Sequence, residues 1–294
     1  MQTLQPVSGR SKIYSITQAV LSGLGILISL TAVFFLFLVS LVGMLQNGQD
    51  ASSVLVLAWI ALMIAILLIP GLVTAIFKLI GKPLPSLPPA WRRPLLLAAP
   101  FVWLVCLLAA YLTSHVSWLS LFGSLFVIPV IAIPLVLMVL FGARKLSMGS
   151  ALRSSGAITF HFTVTLPFIL LAELVLFAFL IVIFAVWAST QPQLLAEIMR
   201  YSEIFSSMNM DPAELENLFL NLVQQPLFVT GGIVLVALIV PLMEEFFKPM
   251  ALWFLAGKGL TPAQGFVGGL ISGACFALLE SVSAVGVPNG NEWF

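Results

Sequence analysis

The run LFVTGGIVLVALIVPLMEEFFKPMALWFL, residues 227–255, decides the fold class. A helix needs roughly 20 apolar residues to cross a hydrocarbon core about 30 Å thick, and this run exceeds that. Yet Glu244, Glu245 and Lys248 fall inside it, within five positions. On insertion scales each such group costs about 2.5–3.5 kcal/mol at a helix centre. Three together are tolerated where they face one another, a neighbouring helix or a wet cavity. Glu244 and Lys248 stand four apart and share a face, so an ion pair with a snorkelling lysine accounts for both. Glu245 points about 100° away from Glu244 and gets no role from that pair.

The rest of the chain has the same apolar character. Of its 294 residues 61% are hydrophobic and 8% charged, against roughly 25% charged in soluble domains. The chain is therefore read as a polytopic membrane protein. A net charge of +1 gives no sign of a nucleic-acid partner. Apolar runs long enough to span recur about seven times, near 17–45, 53–80, 95–113, 117–142, 160–188, 227–256 and 264–286. They are continuous over roughly 20 residues or more, where barrel strands would alternate over about 10. The expected fold is an all-α bundle of transmembrane helices forming a single domain over 1–294. Pro70, Pro129, Pro134, Pro167 and Pro241 are expected to kink their helices, and Pro241 and Pro249 to bend or break the sixth run. Arg10 and Lys12 precede a first run much longer than a signal-peptide core of about 7–15 residues, so that run reads as a retained anchor.

Lysine and arginine alternate between connections. Arg10 and Lys12 precede the first span; Lys78, Lys82, Arg92 and Arg93 follow the second; Arg144, Lys145 and Arg153 follow the fourth; Lys258 follows the sixth. The alternate connections hold Arg200 alone. By the positive-inside rule the N-terminus is expected in the cytoplasm and residue 294 outside, in the plasma membrane. The connection 189–226 is long and acidic, with Glu197, Glu203, Asp211, Glu214 and Glu216. Within it DPAELENLFLNLV, residues 211–223, reads as an extracytoplasmic amphipathic helix capped by Asp211, with Pro212 at its first position.

The seventh run supplies a second polar position. GFVGGLISGACFALLES, residues 265–281, carries Gly265, Gly269 and Gly273 at four-residue spacing, then Ala277. Such a ridge lets another backbone approach closely. Phe276 and Glu280 are expected to continue that face, with the sixth helix as partner, so that Glu244, Glu245 and Glu280 converge. Counted at 1.5 Å per residue, the depths of Glu244 and Glu280 differ by on the order of 15 Å, and a break at Pro241 or Pro249 would close part of that gap. Glu173, in LPFILLAELVLFAF, is expected to bond a neighbouring helix or to line the same cavity. Cys106 and Cys275 lie in apolar segments and read as small buried hydrophobes. His115, in an outer connection, and His161, near the inner end of the fifth span, both read as structural. No H-E-x-x-H or other metal-ligand cluster is visible in the sequence.

EEFFK, residues 244–248, followed by GLISGACFALLES, residues 269–281, resembles the PrsW family of intramembrane proteases. The matching motifs are E-E-x-x-K (Glu244, Glu245, Lys248) and F-x-x-x-E (Phe276, Glu280), over about 45 residues. A more distant resemblance is to the CAAX-protease and bacteriocin-processing superfamily, whose motifs end in arginine and histidine where this chain has Lys248 and Glu280. The resemblance implies an endopeptidase that cuts a membrane-anchored protein, in the best-known members an anti-sigma factor. It implies Glu244, Glu245 and Glu280 as catalytic groups that activate water or hold a divalent metal such as zinc, with Lys248, Phe276 and Gly273 in support. The family also carries a histidine in a later span. No histidine follows His161, so the chain is expected to lack a C-terminal span bearing that group. Two other classes fit the buried acids: a proton- or ion-coupled transporter, and a non-catalytic binding protein for membrane partners.

Overall fold

The computed structural model describes residues 9–46, 51–84, 89–114, 120–146, 149–192, 195–196, 199, 220, 226–253 and 259–285. Among them every regular element is a helix. Seven helices are long and apolar enough to cross a membrane: Lys12–Gly43, Val54–Leu79, Pro94–Thr113, Leu125–Gly142, Ala151–Ser189, Val229–Trp253 and Pro262–Ala284. The chain is a multi-pass all-α membrane protein. The amphipathic helix expected over 211–223, apart from Leu220, and His115 lie outside the described residues.

The helical elements are α1 (Gly9–Gln46), α2 (Ala51–Leu79), α3 (Pro89–Ser114), α4 (Ser120–Gly142), α5 (Ala151–Phe160), α6 (Leu166–Ser189), α7 (Pro226–Val234), α8 (Val240–Phe247), α9 (Met250–Trp253) and α10 (Pro262–Val285). A π-helical turn, His161–Thr165, joins α5 to α6, and a second, Leu235–Ile239, joins α7 to α8. In each case one residue separates the end of the turn from a proline. A proline has no N–H to donate, and its ring crowds the carbonyl four residues back, which is Thr163 for Pro167 and Ala237 for Pro241. The helix widens to relieve this. Leu166 N–H reaches back five residues to the His161 carbonyl, and Val240 N–H to the Leu235 carbonyl. Pro134 has a different remedy. It leaves the Val130 carbonyl without its helical donor, and Trp103 Nε1 on α3 donates to that oxygen at 2.9 Å.

One expected boundary is corrected, and one expected break is found. The fifth span was expected over 160–188, but its helix starts at Ala151, with Ser150 as N-cap accepting from Arg153 N–H. The apolar count missed these two and a half turns because RSSG, residues 153–156, interrupts the apolar run. His161 therefore stands about 15 Å into the helix instead of near its end. The sixth run is not one rod. It stops at Phe247, turns through Lys248–Pro249 and resumes at Met250, as the position of Pro249 requires.

By contact clustering the chain forms two compact units, Met1–Leu166 with Lys248–Phe294, and Pro167–Phe247. In the first, α2 and α10 hold the centre. Half of the last span's apolar window (50%) and 39% of the second's are buried, against 6% in each other span. Leu68, Phe162, Val267, Ile271 and Cys275 form one cluster, and Ile60, Met63, Leu278 and Val282 another. Cys275 is buried and Cys106 half-buried, both as free thiols. A polar seam joins α1, α2 and α5. Gln18 Nε2 donates toward the Gly71 carbonyl at 3.0 Å, Thr74 Oγ1 at 3.2 Å and Ser155 Oγ at 3.1 Å. Ser22 and Thr159 hydroxyls pair at 2.9 Å. Gly71 is required there, since a Cβ would overlap Thr159 Oγ1 and Ser22 Oγ. Such interhelical bonds, with close small-residue packing, replace the hydrophobic drive that lipid does not supply. The many exposed large side chains, among them Phe35, Phe101 and Ile181, are the surface a bilayer would cover.

Candidate functional site

The break in the sixth run builds the first unit's part of the site. Past Pro249 the chain tightens, and Leu252 N–H donates to the Pro249 carbonyl at 2.7 Å. That bypasses the Lys248 carbonyl, which an unbroken helix would have paired with Leu252. Ser272 Oγ on α10 donates to the Lys248 carbonyl instead. At 3.1 Å from the same hydroxyl lies Nδ1 of His161. The Lys248 side chain meets the same helix one turn further on, with Nζ 4.0 Å from the Phe276 ring centroid, in a cation–π contact. Lys248 of E-E-x-x-K and Phe276 of F-x-x-x-E thus touch.

This contact face differs from the glycine ridge expected from sequence. Among the described residues no heavy atom beyond the local helix backbone lies within 4 Å of where a Cβ on Gly273 would stand. The close approach is at Gly268, where a Cβ would overlap the Leu252 side chain of α9. Gly268, Ser272, Phe276 and Glu280 follow one another at four-residue spacing, so the working ridge runs one residue away from Gly265, Gly269 and Gly273. Glu280 lies one turn beyond Phe276 and is exposed.

Glu173, Glu244 and Glu245 belong to the second unit. The carboxyl groups of Glu173 on α6 and Glu244 on α8 lie close to each other. Phe168 and Phe247 meet edge to face at 4.9 Å between centroids and fix α6 against α8 on the same side. Glu173 therefore faces α8. Glu244 is half-buried and Glu245 exposed. Expected convergence of Glu244 and Glu245 with Glu280 involves both units.

His161 is the residue that sequence reasoning undervalued. Its ring is fully buried at 0% exposure, on the π turn. It packs edge to face with Phe162 at 5.5 Å and with Phe276 at 6.4 Å. The available signal was an ionisable side chain two residues from Thr163 and four from Thr165 inside an apolar run, just ahead of Pro167. Among the described residues no group of three His, Cys, Asp or Glu side chains is placed to hold a metal ion. No family model, curated protein or solved structure matches the chain.

Proposed function

We propose that the protein is an intramembrane endopeptidase of PrsW type, acting on a membrane-anchored protein such as an anti-sigma factor. The observation that supports this most is the Lys248–Phe276 contact, which joins the two motifs at one point. In this reading Glu244, Glu245 and Glu280 are the catalytic acids. One glutamate takes a proton from a water, and the resulting hydroxide adds to the peptide carbonyl carbon. A second, protonated carboxyl gives its proton to the departing nitrogen as the C–N bond breaks, leaving a carboxylate and an amine. Lys248 holds a neighbouring carboxylate ionised and orients it. A divalent metal such as zinc, if used, would be held by Glu244, Glu245 and Glu280 and would polarise the attacked carbonyl or the water. The protein sits in the plasma membrane with its N-terminus in the cytoplasm, as the lysine and arginine distribution supports.

The closeness of Glu173 and Glu244 favours a second reading, a proton-coupled carrier, because neighbouring acids in an apolar span mark proton pathways. One experiment separates the two. A membrane-tethered reporter is expressed with the full-length protein and with Glu244→Gln, Glu245→Gln or Glu280→Gln. The protease reading expects loss of cleavage on the order of 100-fold or more in each, at normal expression. Cleavage retained in all three sinks it. Proton uptake by purified wild-type protein in vesicles, lost in Glu173→Gln, would support the carrier.

A further inference from the structure

The bonds around His161 fix which ring nitrogen carries hydrogen. Ser272 has one hydroxyl proton, and it goes to the Lys248 carbonyl, which can only accept. Toward His161 the Ser272 oxygen is therefore an acceptor, and Nδ1 must be the donor. In the neutral ring Nε2 then keeps a bare lone pair. Nε2 is buried and has no hydrogen-bond partner among the described residues. The hydroxyl of Thr165 is in the same condition, with the side chain at 0% exposure and Oγ1 unpartnered. His161 and Thr165 are the first and last residues of one π turn. Their four-residue separation puts them on one side of it. One atom is an acceptor and the other can donate. Buried polar groups left unpaired cost about 1–3 kcal/mol each, and interior water is the usual remedy. Wide π turns recur at functional sites because they open the helical ladder in this way.

We infer that His161 Nε2 and Thr165 Oγ1 form a buried binding site for a single water molecule, with His161 as its proton acceptor. The water site does not depend on the protease reading. The imidazole packs edge to face against the Phe162 and Phe276 rings, and Ser272, bonded to the Lys248 carbonyl, holds it from the Nδ1 side.

The test is solid-state NMR on full-length protein labelled with 15N-histidine in lipid bilayers. The chain has two histidines, so a His115→Gln background leaves one imidazole to read. The expected spectrum has Nδ1 protonated, Nε2 unprotonated, and magnetisation transfer between Nε2 and water. Thr165→Val is expected to lose that transfer while the Nδ1 proton remains. His161→Asn, whose amide can still donate to Ser272, is expected to fold and to lose the signal altogether. A protonated Nε2 with a bare Nδ1, or no water transfer in the parent protein, would overturn the inference. So would unchanged transfer in Thr165→Val.

Discussion

The two π turns share a backbone device and differ in what surrounds them. Each precedes a proline and each satisfies the helix by a bond five residues back. In His161–Thr165 three of five residues are buried, among them His161 and Thr165. In Leu235–Ile239 Leu235 alone is buried, and Val236 is 66% exposed. The proline makes the bulge; the neighbours decide whether it does anything further. A bulge packed against α10 and α9 can present polar groups in a closed space. A bulge lined with leucine, valine and isoleucine on a bilayer-facing surface only bends the helix.

The largest test of that contrast is His161→Ala. It removes a buried ring and its bond to Ser272, and it unseats the group that caps the Lys248 carbonyl. The expected loss is about 2–4 kcal/mol of unfolding free energy, from cavity and hydrogen-bond terms together. Steric-trapping or denaturant titration in bicelles would measure it. A loss below about 0.5 kcal/mol would make the polar turn as inert as the apolar one.

The same contrast explains what the sequence could and could not tell. Span number and class follow from local apolar runs, and the break at Lys248–Pro249 from one proline. Those features are decided within a few residues. The placement of His161 is not, because its partner Ser272 is 111 residues away and nothing local marks the pair. Glu173 and Glu244 are likewise joined only by the packing of α6 on α8. The ridge on α10 was misread by one residue for a related reason. Four-residue spacing of glycine identifies a face that can be approached, whereas the approach itself is set by where α9 lands, on Gly268. The motif residues Lys248 and Phe276 stood out by their pattern, yet their contact depends on the turn at Pro249.

Ser272→Ala should come next in size. It leaves the His161 ring in place but removes the hydroxyl that ties Nδ1 to the Lys248 carbonyl. Nδ1 is then buried without that partner, at a cost of about 1–3 kcal/mol. Hydrogen exchange should show the effect locally, as faster exchange at Leu252 and its neighbours in α9. A uniform increase across all helices would mean that Ser272 supports the whole unit rather than this turn.

The smallest effect is expected from the other bulge. Leu238 is 53% exposed on the second π turn, and in a bilayer its environment is lipid both when the helix is packed and when it is separated. Lipid tails are as apolar as leucine, so truncation changes little between the two states. Leu238→Ala should shift unfolding free energy by less than about 0.5 kcal/mol, measured as for His161→Ala. The near-null result has content. If Leu238→Ala were as costly as His161→Ala, the exposed face would have to be covered by protein in the membrane. The second π turn would then be an interface, and the difference between the two turns would lie in which partner each has rather than in whether it has one.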